Sequence, residues 1–102
     1  PADGATLQEA SLPELPEGPL TADAVCKVLG ALLPEDAIVS DEGNTSGLFA
    51  PAYTAGSPKH DWLTLTGGAI GQGLPLAVGA AVAVVGGLAG RRMAERGRAG
   101  VK

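Results

Sequence analysis

The sequence predicts an α/β fold, an incomplete three-layer parallel sheet whose elements run helix, strand, loop, helix, strand, glycine-rich turn, helix. Two short apolar runs, at 37–40 and 62–65, have the length of buried strands. Each run leads into a polar or glycine-rich loop, and helical patterns lie before, between and after the two runs. Helices that alternate with buried strands in this way are typical of a layered parallel sheet.

The first predicted helix has a clear beginning and end. Thr21 suits the N-cap position, and Asp23 in the first turn interacts favourably with the helix dipole. Apolar residues follow at the spacing of one helix face: Val25, Val28, Leu29 and Leu32. Pro34 is expected to end this helix before the strand at 37–40.

Two further helices are expected. A polar loop at 41–47 leads to a helical turn at 48–53, and the second strand leads into the glycine-rich stretch 66–75. Residues 74–83 are small and apolar on every face, which predicts a helix that is buried on all sides.

The composition divides the chain into three segments. Residues 1–19 contain four prolines, four acidic residues and no basic one, which predicts an extended linker or arm. Residues 20–83 carry the predicted elements and are expected to form a partial domain. Residues 84–102 form a tail rich in Gly, Ala and Arg. The net charge is therefore −8 over residues 1–90 and +4 over residues 91–102.

The composition also excludes several classes of protein. Cys26 is the one cysteine, so no disulfide framework forms within the chain. The basic tail lacks interleaved aromatic residues, and we expect no nucleic-acid partner. The first residues are polar and acidic, unlike a secretion signal, so we expect a cytoplasmic location.

Two loops are the candidate binding segments. Ligands of open parallel sheets bind beyond the carboxyl ends of strands, where 41–47 and 66–71 both lie. Their backbone N–H groups and short hydroxyls suit an anion such as phosphate, although ordinary turns have the same composition. The chain has no Walker loop, because no lysine lies between Lys59 and Lys102, and Leu76 stands where a dinucleotide fingerprint needs its third glycine.

Three stretches carry a family resemblance. They are LTADAV at 20–25, AIVSDE at 37–42, and LTGGAIGQGLP at 65–75 with AVGAA at 77–81. Through them residues 20–83 resemble the beginning of the C-terminal, diphosphate-binding domain of thiamine diphosphate-dependent enzymes. The resemblance is to the acetolactate synthase large-subunit-like group, and more distantly to benzoylformate decarboxylase, and it implies the Rossmann-like fold of that domain.

The resemblance implies a cofactor site in the two loops. Beside the cofactor diphosphate it implies Glu42, Gly43, Asn44, Thr45 and Ser46, with Asn44 and Thr45 as the most direct hydrogen-bond donors. Beside the aminopyrimidine ring it implies Gly68, Ala69 and Ile70. The carbonyl of Gly68 would accept a hydrogen bond from the ring's amino group, and Ile70 would be the apolar wedge that bends the cofactor.

The resemblance also implies a chemistry and partners. The parent reaction would be decarboxylation of a 2-oxo acid and carbonyl ligation through the cofactor ylid, with Mg²⁺ on the diphosphate and a site shared within a homodimer. The family's Gly-Asp-Gly metal motif and its N-terminal domain are absent from these 102 residues. We therefore expect no catalytic residue and no metal ligand in this chain, and no activity without the missing domains.

The same residues also fit a membrane protein. Residues 62–90 carry no charge and are followed by Arg91 and Arg92, as in a transmembrane helix near 69–90 of a small membrane-anchored, non-enzymatic protein. Against this interpretation, Gly and Ala dominate the segment, and large apolar residues are few.

Single residues have alternative interpretations as well. Asp41 and Glu42 are candidates for an acid–base carboxylate pair and His60 for a proton shuttle, although solvated positions explain all three. Cys26 is expected to be a small core residue, and Trp62 to anchor the edge of the sheet or a domain contact.

The composition of the tail generates a testable expectation about the gene. A run of Gly, Ala and Arg is what GC-rich coding sequence gives in a shifted frame, so we expect a frameshift or truncation at about residue 84. Sequencing the encoding DNA checks this, since an alternative frame downstream should restore a Gly-Asp-Gly motif. Absence of that motif from both alternative frames would contradict it.

Overall fold

The elements of the computed structural model follow the predicted order. The structure describes Gly4 and residues 10–100. The chain forms α1 (Ala22–Leu32), β1 (Ala37–Asp41), α2 (Ala50–Thr54), β2 (His60–Thr64) and α3 (Gly73–Gly100). The other residues of the predicted arm, 1–3 and 5–9, and residues 101–102 of the predicted tail lie outside the described residues.

The helix α1 begins and ends where its local signals predict. The hydroxyl of Thr21 accepts a hydrogen bond from the N–H of Ala24 at 3.1 Å, which satisfies one of the free donors of the first turn. At the other end the N–H of Leu33 bonds to the carbonyl of Leu29 at 2.9 Å. Pro34 then follows, so the predicted N-cap and the predicted end of α1 are both confirmed.

The two strands form a parallel pair. Ala37 lies opposite His60, and Asp41 lies opposite Thr64. The helix α3 contacts β1, and α1 contacts α2. The α/β class predicted from the sequence is therefore confirmed for a small two-stranded parallel sheet with helices.

The buried core is small and lies between α1, α2 and the loop after β1. Its residues are Cys26, Gly30, Leu33, Ala50 and Thr54. Cys26 is 2% exposed and its thiol donates to the carbonyl of Ser46 at 3.3 Å, which confirms its prediction as a core residue. The hydroxyl of Thr54 donates to the carbonyl of Ala50 at 2.9 Å, so the buried polar group is paired.

A polar cluster joins the outer faces of α1 and α2. The phenol of Tyr53 donates to Asp23 at 2.5 Å, and the ammonium of Lys27 lies 2.8 Å from the other oxygen of Asp23. The hydrogen bond from Lys27, and then the one from Tyr53, lower the pKa of Asp23. The same carboxylate raises the pKa of Lys27 and of Tyr53. The three side chains are only partly buried, so solvent screens the ion pair and its contribution to stability is small.

The segment before α1 is docked onto the helices. Residues 10–20 contain no helix or strand. A Cβ built on Gly56 would lie 2.5 Å from the carbonyl carbon of Ser11, and a Cβ on Gly30 would lie 3.0 Å from the ring of Pro13. The extended chain therefore lies against α1 and the loop after α2.

The helix α3 differs from its prediction in length and in burial. It runs unbroken through Gly73–Gly100, across the predicted boundary between residues 83 and 84. None of its residues is buried, so the prediction of a helix buried on every side at 74–83 is wrong for this chain. The physical reason is that the described chain supplies one two-stranded sheet, which covers one side of α3 only.

The length and composition of α3 are sufficient to cross a membrane. The apolar window that meets this criterion has no buried share in the structure. Core helices of soluble proteins meet the same criterion of length and hydropathy, so the finding alone is weak evidence for a membrane span.

The packing of α1 on α2 predicts an asymmetry between two glycines. A Cβ on Gly30 would overlap the carbonyl oxygen of Tyr53, whereas a Cβ on Gly79 in α3 would meet no atom within 4 Å. We expect Gly30→Ala to lower the free energy of unfolding by about 2 kcal/mol through overpacking. Gly79→Ala should raise it by about 0.5–1 kcal/mol, because alanine favours an exposed helix.

Urea unfolding followed by circular dichroism measures both variants against the wild-type chain. Equal effects of the two substitutions would contradict the close contact of α1 with α2.

Candidate functional site

The loops after β1 and β2 lie at the same edge of the sheet because the strands are parallel. Asp41 ends β1 and Thr64, its partner in the register, ends β2. A cavity of about 200 Å³ opens between these ends. It is lined by Asp41, Gly43, Asn44, Gly47, Leu48, Pro51, Thr64 and Leu65. This is the position in which open parallel sheets bind their ligands.

The loop after β1 is a tight turn closed by its own backbone. The N–H of Gly43 bonds to the carboxylate of Asp41 at 2.8 Å, and the N–H of Gly47 bonds to the carbonyl of Gly43 at 2.9 Å. A Cβ on Gly43 would lie 2.9 Å from the Cα of Gly47, so the turn is too close for a larger residue there. The side chains of Asn44, Thr45 and Ser46 are exposed at its surface.

The turn after β2 needs its glycines. Gly67, Gly68 and Gly71 have φ values of 61°, 66° and 93°, in the left-handed region that other residues avoid. The N–H of Gln72 bonds to the carbonyl of Ala69 at 3.2 Å. This backbone course leaves the side chain of Ile70 89% exposed.

Glu42 joins the two loops. One carboxylate oxygen accepts a hydrogen bond from the N–H of Gly71, and the other accepts one from the N–H of Gly73 at 2.7 Å. The bond from Gly71, and then the bond from Gly73, lower the pKa of Glu42. The anionic form is favoured because both donors face the charged carboxylate.

Three further polar residues hold the site, and sequence reasoning assigned none of them this role. The hydroxyl of Ser40 donates to the carbonyl of Gly73 at 2.8 Å. The side-chain oxygen of Gln72 accepts from the N–H of Thr66 at 3.2 Å and closes the glycine-rich turn. The indole of Trp62 donates to Asp41 at 3.2 Å across the two strands. Of the three, Gln72 was the easiest to find from the sequence, because it is the one strongly polar residue between 69 and 90.

The carboxylates proposed as an acid–base pair have structural partners. Asp41 accepts from Gly43 and Trp62, while Glu42 accepts from the glycine-rich turn. The ring of His60 lies 2.7 Å from the carbonyl of Pro58, outside these contacts. Within the described residues, Gly4 and 10–100, no cluster of three or more His, Cys, Asp or Glu side chains is placed to hold a metal ion.

Comparison with known proteins identifies a relative of much greater length. The chain is 61% identical over 83 residues to a protein of Mycobacterium tuberculosis named putative acetolactate synthase large subunit IlvX. The predicted resemblance is confirmed. The aligned region is 81% of this chain but 16% of the acetolactate synthase-like relative, so the chain corresponds to a small part of that protein. No family model and no solved structure matches the chain.

The lowered pKa of Glu42 predicts a loss of stability in acid. A carboxylate whose folded-state pKa lies below its unfolded value stabilises the fold above the unfolded pKa, and this contribution disappears as the pH falls through the folded pKa. We expect Glu42→Gln to have a shallower fall in the free energy of unfolding between about pH 5 and pH 3, measured by urea unfolding.

Asp23→Asn provides the matched comparison, because the pKa of Asp23 is also lowered but Lys27 and Tyr53 lower it. Each variant should remove its own part of the pH dependence of the free energy of unfolding. If Glu42→Gln left the fall in the free energy of unfolding at acidic pH unchanged, the contacts of Glu42 with the turn would be contradicted.

Proposed function

We propose that this chain is the cofactor-contacting segment of a thiamine diphosphate-dependent enzyme of the acetolactate synthase type. The observation that carries the proposal is the pair of loops at one sheet edge, in a chain 61% identical to an acetolactate synthase-like relative. One loop offers polar groups to an anion, and the other presents one apolar side chain to solvent. These are the two surfaces that a cofactor with a diphosphate and an aromatic ring requires.

The loop after β1 fits the diphosphate. Gly43, Asn44, Thr45 and Ser46 are exposed, and Gly43 and Asn44 line the cavity at the strand ends. The donors that this loop offers are the side-chain amide of Asn44 and the hydroxyls of Thr45 and Ser46. Amide and hydroxyl groups in such a turn are suitable donors to phosphate oxygens. Glu42, which belongs to the same stretch, brings the loop into contact with the second one.

The turn after β2 fits the aminopyrimidine ring. A Cβ on Gly68 would meet no atom within 4 Å, so the backbone there is open to close approach by a flat ring. Ala69 adds little bulk, and the side chain of Ile70 is available as an apolar support. The carbonyl of Gly68 is the proposed acceptor for the ring's amino group.

The parent reaction is proposed to be decarboxylation of a 2-oxo acid with carbonyl ligation. The cofactor supplies the stabilised carbanion when it is bound. The proposed role of this chain is to bind the diphosphate and to orient the ring, in the Rossmann-like domain fold of the family. Mg²⁺, a homodimer, the missing domains and a cytoplasmic location are parts of the same proposal.

The division of the chain into segments is part of the same proposal. We retain the proposed division into an arm at 1–19, a partial cofactor domain at 20–83 and a divergent tail.

Nuclear magnetic resonance of the full chain with its amides labelled tests the proposal. Pyrophosphate with Mg²⁺ should shift the amides of residues 43–46, and thiamine should shift those of 67–71. Thiamine diphosphate with Mg²⁺ should shift both sets at lower concentration than either half alone. No shift in either loop at millimolar cofactor would overturn the proposal.

Ile70→Ala tests the apolar support. We expect it to weaken binding of thiamine diphosphate about tenfold, because the ring loses an apolar contact surface. Leu74→Ala is the matched control, since Leu74 is similarly exposed at 81% but lies in α3, beyond the turn. Equal effects of the two substitutions would contradict the role of Ile70.

A small membrane-anchored protein is the second candidate function. It is favoured by α3, which is long and apolar enough to span a bilayer, has no buried residue and carries four arginines toward its end. Carbonate extraction separates the two candidates. A chain that stays in the membrane pellet supports the anchor, and a chain released to the supernatant excludes it.

A further inference from the structure

Glu42 makes an unusual long-range contact. Its side chain, directly after β1, accepts two backbone hydrogen bonds from residues about thirty positions later, at Gly71 and Gly73. The first donor lies in the glycine-rich turn and the second is the first residue of α3. One carboxylate therefore fixes both the end of the turn and the beginning of the helix.

The charge of Glu42 suits its position. The first N–H groups of a helix have no partner within the helix, and the aligned peptide dipoles favour a negative charge there. Hydrogen bonds from N–H groups to a carboxylate are stronger than those between neutral groups. The carboxylate thus performs the function of a helix cap from another element of the fold.

Ser40 makes a second hydrogen bond to the backbone of Gly73. Residues 40 and 42 are two positions apart, so their side chains leave the end of β1 on the same side, toward α3. The Ser40 hydroxyl donates to the carbonyl of Gly73, while Glu42 accepts from its N–H. A Cβ on Gly73 would lie 2.7 Å from the Glu42 carboxylate, so the carboxylate would have to shift to accept a larger residue there.

The intervening residue faces other partners. Asp41 bonds to the N–H of Gly43 and to the indole of Trp62. The two neighbouring carboxylates therefore hold different parts of the site, Asp41 the first loop and Glu42 the second.

We infer that Glu42 is a positioning residue that holds the glycine-rich turn in register with the loop at 43–46, and is not itself a ligand of the cofactor diphosphate. Its two oxygens are already paired with backbone donors, and a carboxylate beside a diphosphate would repel it. The part of this inference that concerns the cofactor rests on the proposed function. The contact of Glu42 with the N–H groups of Gly71 and Gly73, which we call the Glu42 clamp, does not.

An amide titration of the full chain tests the clamp without any cofactor. As the pH falls, the amide proton resonances of Gly71 and Gly73 should move together, with one midpoint below the usual range of a glutamate. Glu42→Gln should abolish this titration. In Asp41→Asn it should persist, because Asp41 contacts Gly43 and Trp62 instead. Amides of Gly71 and Gly73 that do not titrate in the wild-type chain would overturn the clamp.

Gly73→Ala tests the same contact from the other side. The added methyl group should shift the carboxylate and move the midpoint of the shared titration, whereas Gly79→Ala in the same helix should leave it unchanged. Preservation in both variants would overturn the inference.

Cofactor affinity separates a positioning residue from a residue that has no part in binding. Glu42→Ala should weaken thiamine diphosphate binding about tenfold through loss of the turn's position, and Glu42→Gln should restore most of it because one oxygen remains as acceptor. Wild-type affinity in Glu42→Ala would overturn the positioning role. If the amides of Gly71 and Gly73 titrate but the chain binds no cofactor, the proposed function is rejected and the contact of Glu42 with the turn is still supported.

Discussion

The parallel pairing of β1 with β2 is the constraint on which the candidate site depends. A parallel pair places both carboxyl ends at one edge, so the loop that begins at Glu42 and the turn that begins at Thr66 are brought together although 24 residues separate them in the sequence. An antiparallel pair would place them at opposite ends of the strands. Strand pairing alone does not fix the distance between the two loops. The hydrogen bonds of Glu42 and Ser40 to Gly73 set this distance.

The packing outside this edge is sparse. The radius of gyration is 18.1 Å, compared with about 13 Å for a compact domain of 100 residues. Many large apolar side chains stay in contact with water, including Val78 and Val82 on α3 and Ile38 on β1. A parallel sheet is normally covered on both faces, which two strands and three helices do not achieve here. The exposed apolar surface agrees with a chain that corresponds to 16% of its relative.

Local signals determined how well each element could be predicted. Thr21 and Pro34 act on their own neighbours, so α1 was predicted closely. The beginning of β2 was predicted two residues late because His60 and Asp61 are polar, although the strand includes both. The apolar pattern of α3 gave the wrong expectation of burial, because the one two-stranded sheet of the described residues covers a single side of the helix. The contact of Glu42 with Gly71 links distant residues and has no periodic signature in the sequence.

The helix α3 is supported at one end only. Its first half lies along β1, near Ile38, whereas the glycines from Gly86 onward have open space around them. The free part, residues 86–100, is about 20 Å long at a rise of about 1.5 Å per residue. A tilt of about 10° at the sheet would therefore move the arginine-bearing tip by about 4 Å. The packing of the first half of α3 on β1, together with the contacts of Ser40 and Glu42 with Gly73, thus sets the direction in which the cationic end of the helix points.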